Sequence, residues 1–125
     1  LTCRDRNRVA LEGELSALAH ANVAGVHCIT GDHTASGHRP DAKPVFDLDS
    51  TQLAALARAT GVLVSVAESP VVIPISQRPY RLSQKIKAGA NLCFINHSGE
   101  PETYARFMGE VQALGTDVPF IAGLA

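Results

Sequence analysis

Five short apolar runs alternate along the chain with four stretches of helical spacing, and no hairpin turn signal lies between them. The runs are Leu1-Thr2-Cys3, Val23 to Ile29, Val62 to Ala67, Leu92 to Ile95 and Val118 to Ala122. They are rich in β-branched residues and too short for helices, so they read as buried strands. Between them Leu11, Leu15 and Leu18 fall on one helix face, as do Leu53, Leu56 and Ala57; Leu82, Ile86 and Ala90; and Tyr104, Phe107, Met108, Val111 and Leu114. Ser50 suits an N-cap, Pro79 and Pro101 suit first turns, and Gly61, Gly89 and Gly115 stand where helices should stop. This β-α-β-α-β-α-β-α-β order predicts an α/β fold, a parallel sheet of five strands with four intervening helices. A doubly wound sheet and part of a (β/α)8 TIM barrel both offer it. A complete barrel takes about 250 residues, so 125 residues supply a little over half of one. With no linker or low-complexity segment, residues 1–125 read as a single partial barrel domain or one open sheet.

The chain is 46% apolar and 18% charged, enough to bury a sizeable core. Its net charge of -1 creates no field that would draw a nucleic acid or an anionic membrane. No apolar stretch approaches the roughly 20 residues that cross a bilayer. The opening LTCRDRN lacks a signal-peptide layout. The expectation is a cytoplasmic protein whose first residues, starting inside a strand, follow a lost beginning. Cys3, Cys28 and Cys93 form no CxxC pair and read as small buried hydrophobes, with neither a disulfide framework nor a metal site.

In both architectures ligands bind at the C-terminal ends of the strands. There the sequence places Arg4-Asp5-Arg6-Asn7, then TGDHTASGHRP at residues 30 to 40, then Glu68-Ser69-Pro70, then Asn96-His97-Ser98. The Gly31 to Asp49 connection is the longest in the chain, well beyond the usual 2 to 6 residues. Gly31-Asp32 either aims a carboxylate into a site or makes an ordinary turn with Asp32 bonded to its own backbone. His33 and His38 face ligand or solvent, having no third metal ligand nearby, and His27 reads as a satisfied strand residue. Arg78, Arg81, Lys85 and Lys87 either grip phosphates or form a solvated helix face; Arg81 and Lys85, four apart, share that face. Capping accounts for Asp49 and leaves Asp47 open. Neither GxGxxG nor GxxxxGK[ST] occurs.

The residues LTCRDRN, ITGDHTASGHRPDAKPVFDLDS, SVAESP and KIKAGANLCFINHSGEPETYARF, in that order, resemble the methylenetetrahydrofolate reductase family, closest to its actinobacterial members and to the reductase half of fused homocysteine methyltransferase enzymes. The resemblance covers essentially the whole chain. It implies a (β/α)8 barrel, strands three to seven of which would be present. It also implies an oxidoreductase of one-carbon metabolism that reduces 5,10-methylenetetrahydrofolate to 5-methyltetrahydrofolate, with NADH or NADPH as co-substrate and FAD as the bound hydride carrier. By resemblance, Thr2, Thr30, Gly31, Asp32, His33, Phe46, Arg81 and Lys85 are the cofactor-binding residues, with Lys85 near the FAD phosphates. Asp32 is the catalytic residue, tuning electrostatics beside flavin and folate, and Asn96 binds the pterin in place of a family Gln.

Several positions depart from the family pattern. Ser69 and Ile73 stand where the best-known bacterial members carry a Tyr over the flavin ring and a His shortly after it, and Gln84 replaces an Arg. The family's proton-donating Glu belongs to a first strand that these residues do not include. Two alternatives therefore stand beside the flavin reading: direct hydride transfer from NADH to the folate without flavin, and a half-barrel that binds folate or a partner without turnover. Missing barrel strands would leave sheet edges for more chain or a second copy to cover, so a homo-oligomer is open.

Overall fold

Alternate residues along each strand must point to opposite faces of a sheet, and here only one of those faces is buried. The computed structural model describes residues 1–124. Its strands are β1 (Gly25–Cys28), β2 (Leu63–Glu68), β3 (Leu92–Ile95) and β4 (Phe120–Ala122). The helices are α1 (Arg8–His20), α2 (Ser50–Ala59), α3 (Arg78–Ala88) and α4 (Pro101–Ala113). Val26, Cys28, Val64, Val66, Cys93 and Ile95 are buried on the helix side, against Leu11, Leu15, Leu53, Leu82, Phe107 and Val111. The opposite face stays open: Leu63, Phe94 and Ile121 are 61%, 38% and 49% exposed. On that face the His27 ring nitrogen Nδ1 lies 2.9 Å from Ser65 Oγ, and the imidazole meets Phe94 edge-on. His27 is thus a satisfied strand residue.

All strand pairs are parallel and the order is β1-β2-β3-β4. A doubly wound sheet reverses its order at a switch point and places helices on both faces. Sequential order with right-handed crossovers places every connecting helix on one side. The architecture is therefore α/β of the barrel type, a partial (β/α)8 sheet with its helices outside and its inner face open as a groove of about 840 Å³.

Two expectations are corrected. Leu1-Thr2-Cys3 is a single parallel bridge, Thr2 to Ile29, rather than a fifth strand. Thr2 Oγ1 accepts the Arg4 amide and turns the chain out of the ladder after Cys3. The N-cap of α2 is Asp49, not Ser50. Asp49 accepts from the Gln52 amide while the Gln52 side chain accepts from the Asp49 amide, a reciprocal box that Ser50 could not form with the residue three positions on, Leu53. Asp47, left open above, caps α1 by accepting from the Arg8 amide at 2.8 Å, and Asn7 accepts from the Ala10 amide. Gly61, Gly89 and Gly115 end their helices with positive φ.

Burial pushes the Cys28 thiol up to about 11 and Cys93 up to about 12, and raises Cys3 as well. The thiolate, which is the nucleophile, is thereby suppressed. In the native protein at about pH 8 all three cysteines should resist a thiol reagent that labels them fully after denaturation. Rapid labelling of Cys28 or Cys93 before unfolding would contradict this core.

Candidate functional site

At the C-terminal rim of the sheet two cavities adjoin, sharing a wall of Ile29, Asp32, Ala67 and Asn96. The larger, about 500 Å³, adds Thr2, Arg4, His27 and Gly31. The smaller, about 250 Å³, adds Thr30, Glu68, Arg78, Arg81 and Lys85 among others. Together they have the size of an ordinary small-molecule site.

Local backbone chemistry aims Asp32 into both. Thr2 Oγ1 donates to the Thr30 carbonyl at 3.1 Å and crosses directly beneath Gly31. Gly31 has φ +92°, and a Cβ there would overlap Thr2 Oγ1, so the turn admits only glycine. Of the two readings of Gly31-Asp32, the self-bonded turn does not form: the Asp32 carboxylate is exposed and takes no hydrogen bond from the described residues. The nearby Arg4 guanidinium is raised first by its hydrogen bond to Asp5 and to a lesser extent by the charge of Asp32.

Asn96 is held by its backbone, and its side chain bonds to none of the described residues. Its amide nitrogen donates to the Glu68 carbonyl at 3.0 Å, and its carbonyl accepts from Ser98 Oγ at 2.6 Å. The Tyr104 hydroxyl accepts from the Ser98 amide and donates to the Gly123 carbonyl, tying this loop to the end of β4. A carboxamide on a fixed backbone at the wall of two cavities can donate and accept hydrogen bonds there at once.

The other charged members are committed to one another. Glu68 is 4% exposed and receives three donors: Lys85 Nζ at 2.9 Å, Arg78 Nη1 at 3.0 Å and the Ser69 amide at 3.2 Å. Lys85, 5% exposed, also donates to the Ala67 carbonyl at 2.7 Å. Arg78 turns its other two nitrogens to the carbonyls of Val72 and Ile73, at 2.7 and 2.8 Å, and so pins the β2–α3 loop. Arg81, one turn before Lys85, is exposed and forms no ion pair among the described residues.

Thr2, Gly31, Asp32 and Asn96 thus come together, and Thr30, Arg81 and Lys85 join them across the shared wall. Thr30 Oγ1 accepts the Ser50 amide at the start of α2. His33 and Phe46 lie outside both cavities. His33 caps the short 3-10 turn Thr34–Ser36, and its ring packs on Phe46 at a centroid distance of 6.3 Å. No group of three metal-ligating side chains occurs among the described residues. The sequence reasoning missed Glu68 as a site residue, although a signal was present. Position 68 shares the parity of Val64 and Val66, so its carboxylate had to face the buried helix layer and find cations there.

Comparison with known proteins gives one family. The family model described as methylenetetrahydrofolate reductase matches residues 1–125. A 5,10-methylenetetrahydrofolate reductase of Pectobacterium carotovorum subsp. carotovorum is 28% identical over 129 residues, covering 99% of this chain. The chain spans 41% of the length of that relative.

The two basic residues on one face of α3 should behave oppositely. Lys85→Met strands the buried Glu68 carboxylate with one cation fewer and should lower stability by about 3 kcal/mol or more. Arg81→Met, at an exposed unpaired position, should change it by no more than about 0.5 kcal/mol. Chemical denaturation of both variants checks this, and equal effects would contradict the buried triad.

Proposed function

The chain belongs to the methylenetetrahydrofolate reductase family, and from that premise we propose that its rim cavities serve the reduction of 5,10-methylenetetrahydrofolate to 5-methyltetrahydrofolate by reduced nicotinamide. The observation that carries the proposal is the pair of uncommitted polar side chains, the Asp32 carboxylate and the Asn96 carboxamide, sharing the wall of both cavities. A pterin presents a planar edge of alternating donors and acceptors, which a carboxamide matches. Opening the folate's five-membered ring creates an iminium cation, which a carboxylate held in place stabilises by its charge. A proton goes to N10 as the bond from N10 to the methylene carbon breaks, and hydride from the reduced nicotinamide then adds to that carbon of the iminium. Asp32 stabilises the cation and Asn96 orients the ring.

FAD is the carrier that the resemblance implies, and the residues present do not fit it at the phosphate end. Lys85, the expected phosphate contact, already holds the Glu68 carboxylate, while His33 and Phe46 pack on each other outside the cavities. These contacts, with Ser69 and Ile73 at the flavin-covering positions, favour hydride passing directly from nicotinamide to folate. Three buried free thiols suit a reducing compartment, and we place the protein in the cytoplasm. No described helix is long and apolar enough to cross a membrane.

In the full-length protein, Asp32→Ala should lower folate turnover by about a hundredfold, the scale of losing one preorganised electrostatic group. The KM for reduced nicotinamide should change little. Steady-state kinetics with each substrate varied separately tests this; equal damage to both substrates would remove Asp32 from its role at the folate.

A further inference from the structure

The smaller cavity contains two acidic and three basic side chains, and their pairing is unequal. Glu68 lies against Lys85 and Arg78, whereas Asp32 and Arg81 form no ion pair among the described residues. Every nitrogen of Arg78 is engaged: one by Glu68 and two by loop carbonyls. The Lys85 ammonium, itself 5% exposed, faces the Glu68 carboxylate and the Ala67 carbonyl. A carboxylate with three donors on its two oxygens occupies the position that an oxygen-rich anion from solution would take on these cations. The five formal charges sum to +1: Asp32 offsets Arg81, and Glu68 offsets one of the two cations it holds.

We propose that Glu68 is a specificity-determining residue: an internal anion that fills the Lys85–Arg78 corner and closes it to phosphate-bearing ligands. The proposal rests on these cavities being a ligand site and does not depend on which reaction occurs there. A phosphate entering this corner would have to displace a satisfied carboxylate and leave it buried near a second negative charge, which low-polarity surroundings penalise. With Glu68 neutralised, Lys85 and Arg78 keep their positive charge beside a cavity of about 250 Å³. An anion from solution then becomes the counter-ion.

The test uses full-length protein and inorganic pyrophosphate, with binding followed by calorimetry and by thermal melting at constant ionic strength. The wild type should show no Lys85-dependent binding. Glu68→Gln, which keeps the side-chain shape and removes the charge, should bind pyrophosphate at least about tenfold more tightly, a difference of about 1.4 kcal/mol. Adding Lys85→Met to Glu68→Gln should abolish the gain. Equal affinity in wild type and Glu68→Gln, or a gain that survives loss of Lys85, would overturn the proposal. Should Glu68→Gln not fold, the wild type and Lys85→Met alone still decide. Pyrophosphate binding by wild type that Lys85→Met abolishes means the corner is open and the proposal is wrong; no binding by either upholds it. Failure of the reductase activity would appear separately, as absent folate-dependent oxidation of nicotinamide.

Discussion

A carboxylate buried at the end of a strand sets the terms for everything around it. Glu68 continues the inward parity of Val64 and Val66, so the sheet that gives the chain its core also drives a charge into that core. Such a charge is tolerated only when paired and hydrogen-bonded. Lys85 and Arg78, both from α3, supply the pairing, and the Ser69 amide supplies a third donor. The same contacts dock α3 on the rim and, through the carbonyls of Val72 and Ile73, fix the loop that precedes it.

The rim that results has two kinds of polar group. Those tied into the scaffold, Thr2, Thr30, Glu68, Lys85 and Arg78, shape the walls. Asp32, Asn96 and Arg81 are left uncommitted among the described residues; the first two face the space between the walls, each held at its backbone by a neighbour: Gly31 folded over the Thr2 hydroxyl, and Ser98 locked by Tyr104. Rigid support beneath a free functional end is what precise positioning of a ligand requires. The rim thus combines free polar ends at the wall the two cavities share with a corner where one carboxylate holds two cations.

Much of the fold was legible because period and punctuation agreed. Leu92 to Ile95 has the observed strand limits, and the three helix-ending glycines all adopt the positive φ that favours glycine at a helix stop. Errors arose where a local signal competed with a tertiary one. Ser50 is a good cap in isolation, but Asp49 wins because Gln52 completes the box. Leu1-Thr2-Cys3 has strand composition, yet a side-chain hydroxyl takes the next ladder hydrogen bond. The place of Asp32 and Asn96 on the shared cavity wall was legible from their position after strands. The state of Lys85 was not, because its charge partner lies on another element and only strand parity points to it. The resemblance gives His33 and Phe46 as cofactor contacts, and no local signal in the sequence shows that their rings lie against each other.

The central claim is that this site moves hydride from nicotinamide to methylenetetrahydrofolate without a flavin between them. An absorption spectrum of the full-length protein, taken together with folate-dependent oxidation of NADH by the same sample, tests it most directly. The account predicts turnover from protein that shows no flavin band and gains no rate from added FAD. Turnover that tracks a stoichiometric flavin band, and is lost when the flavin is stripped away, would contradict it.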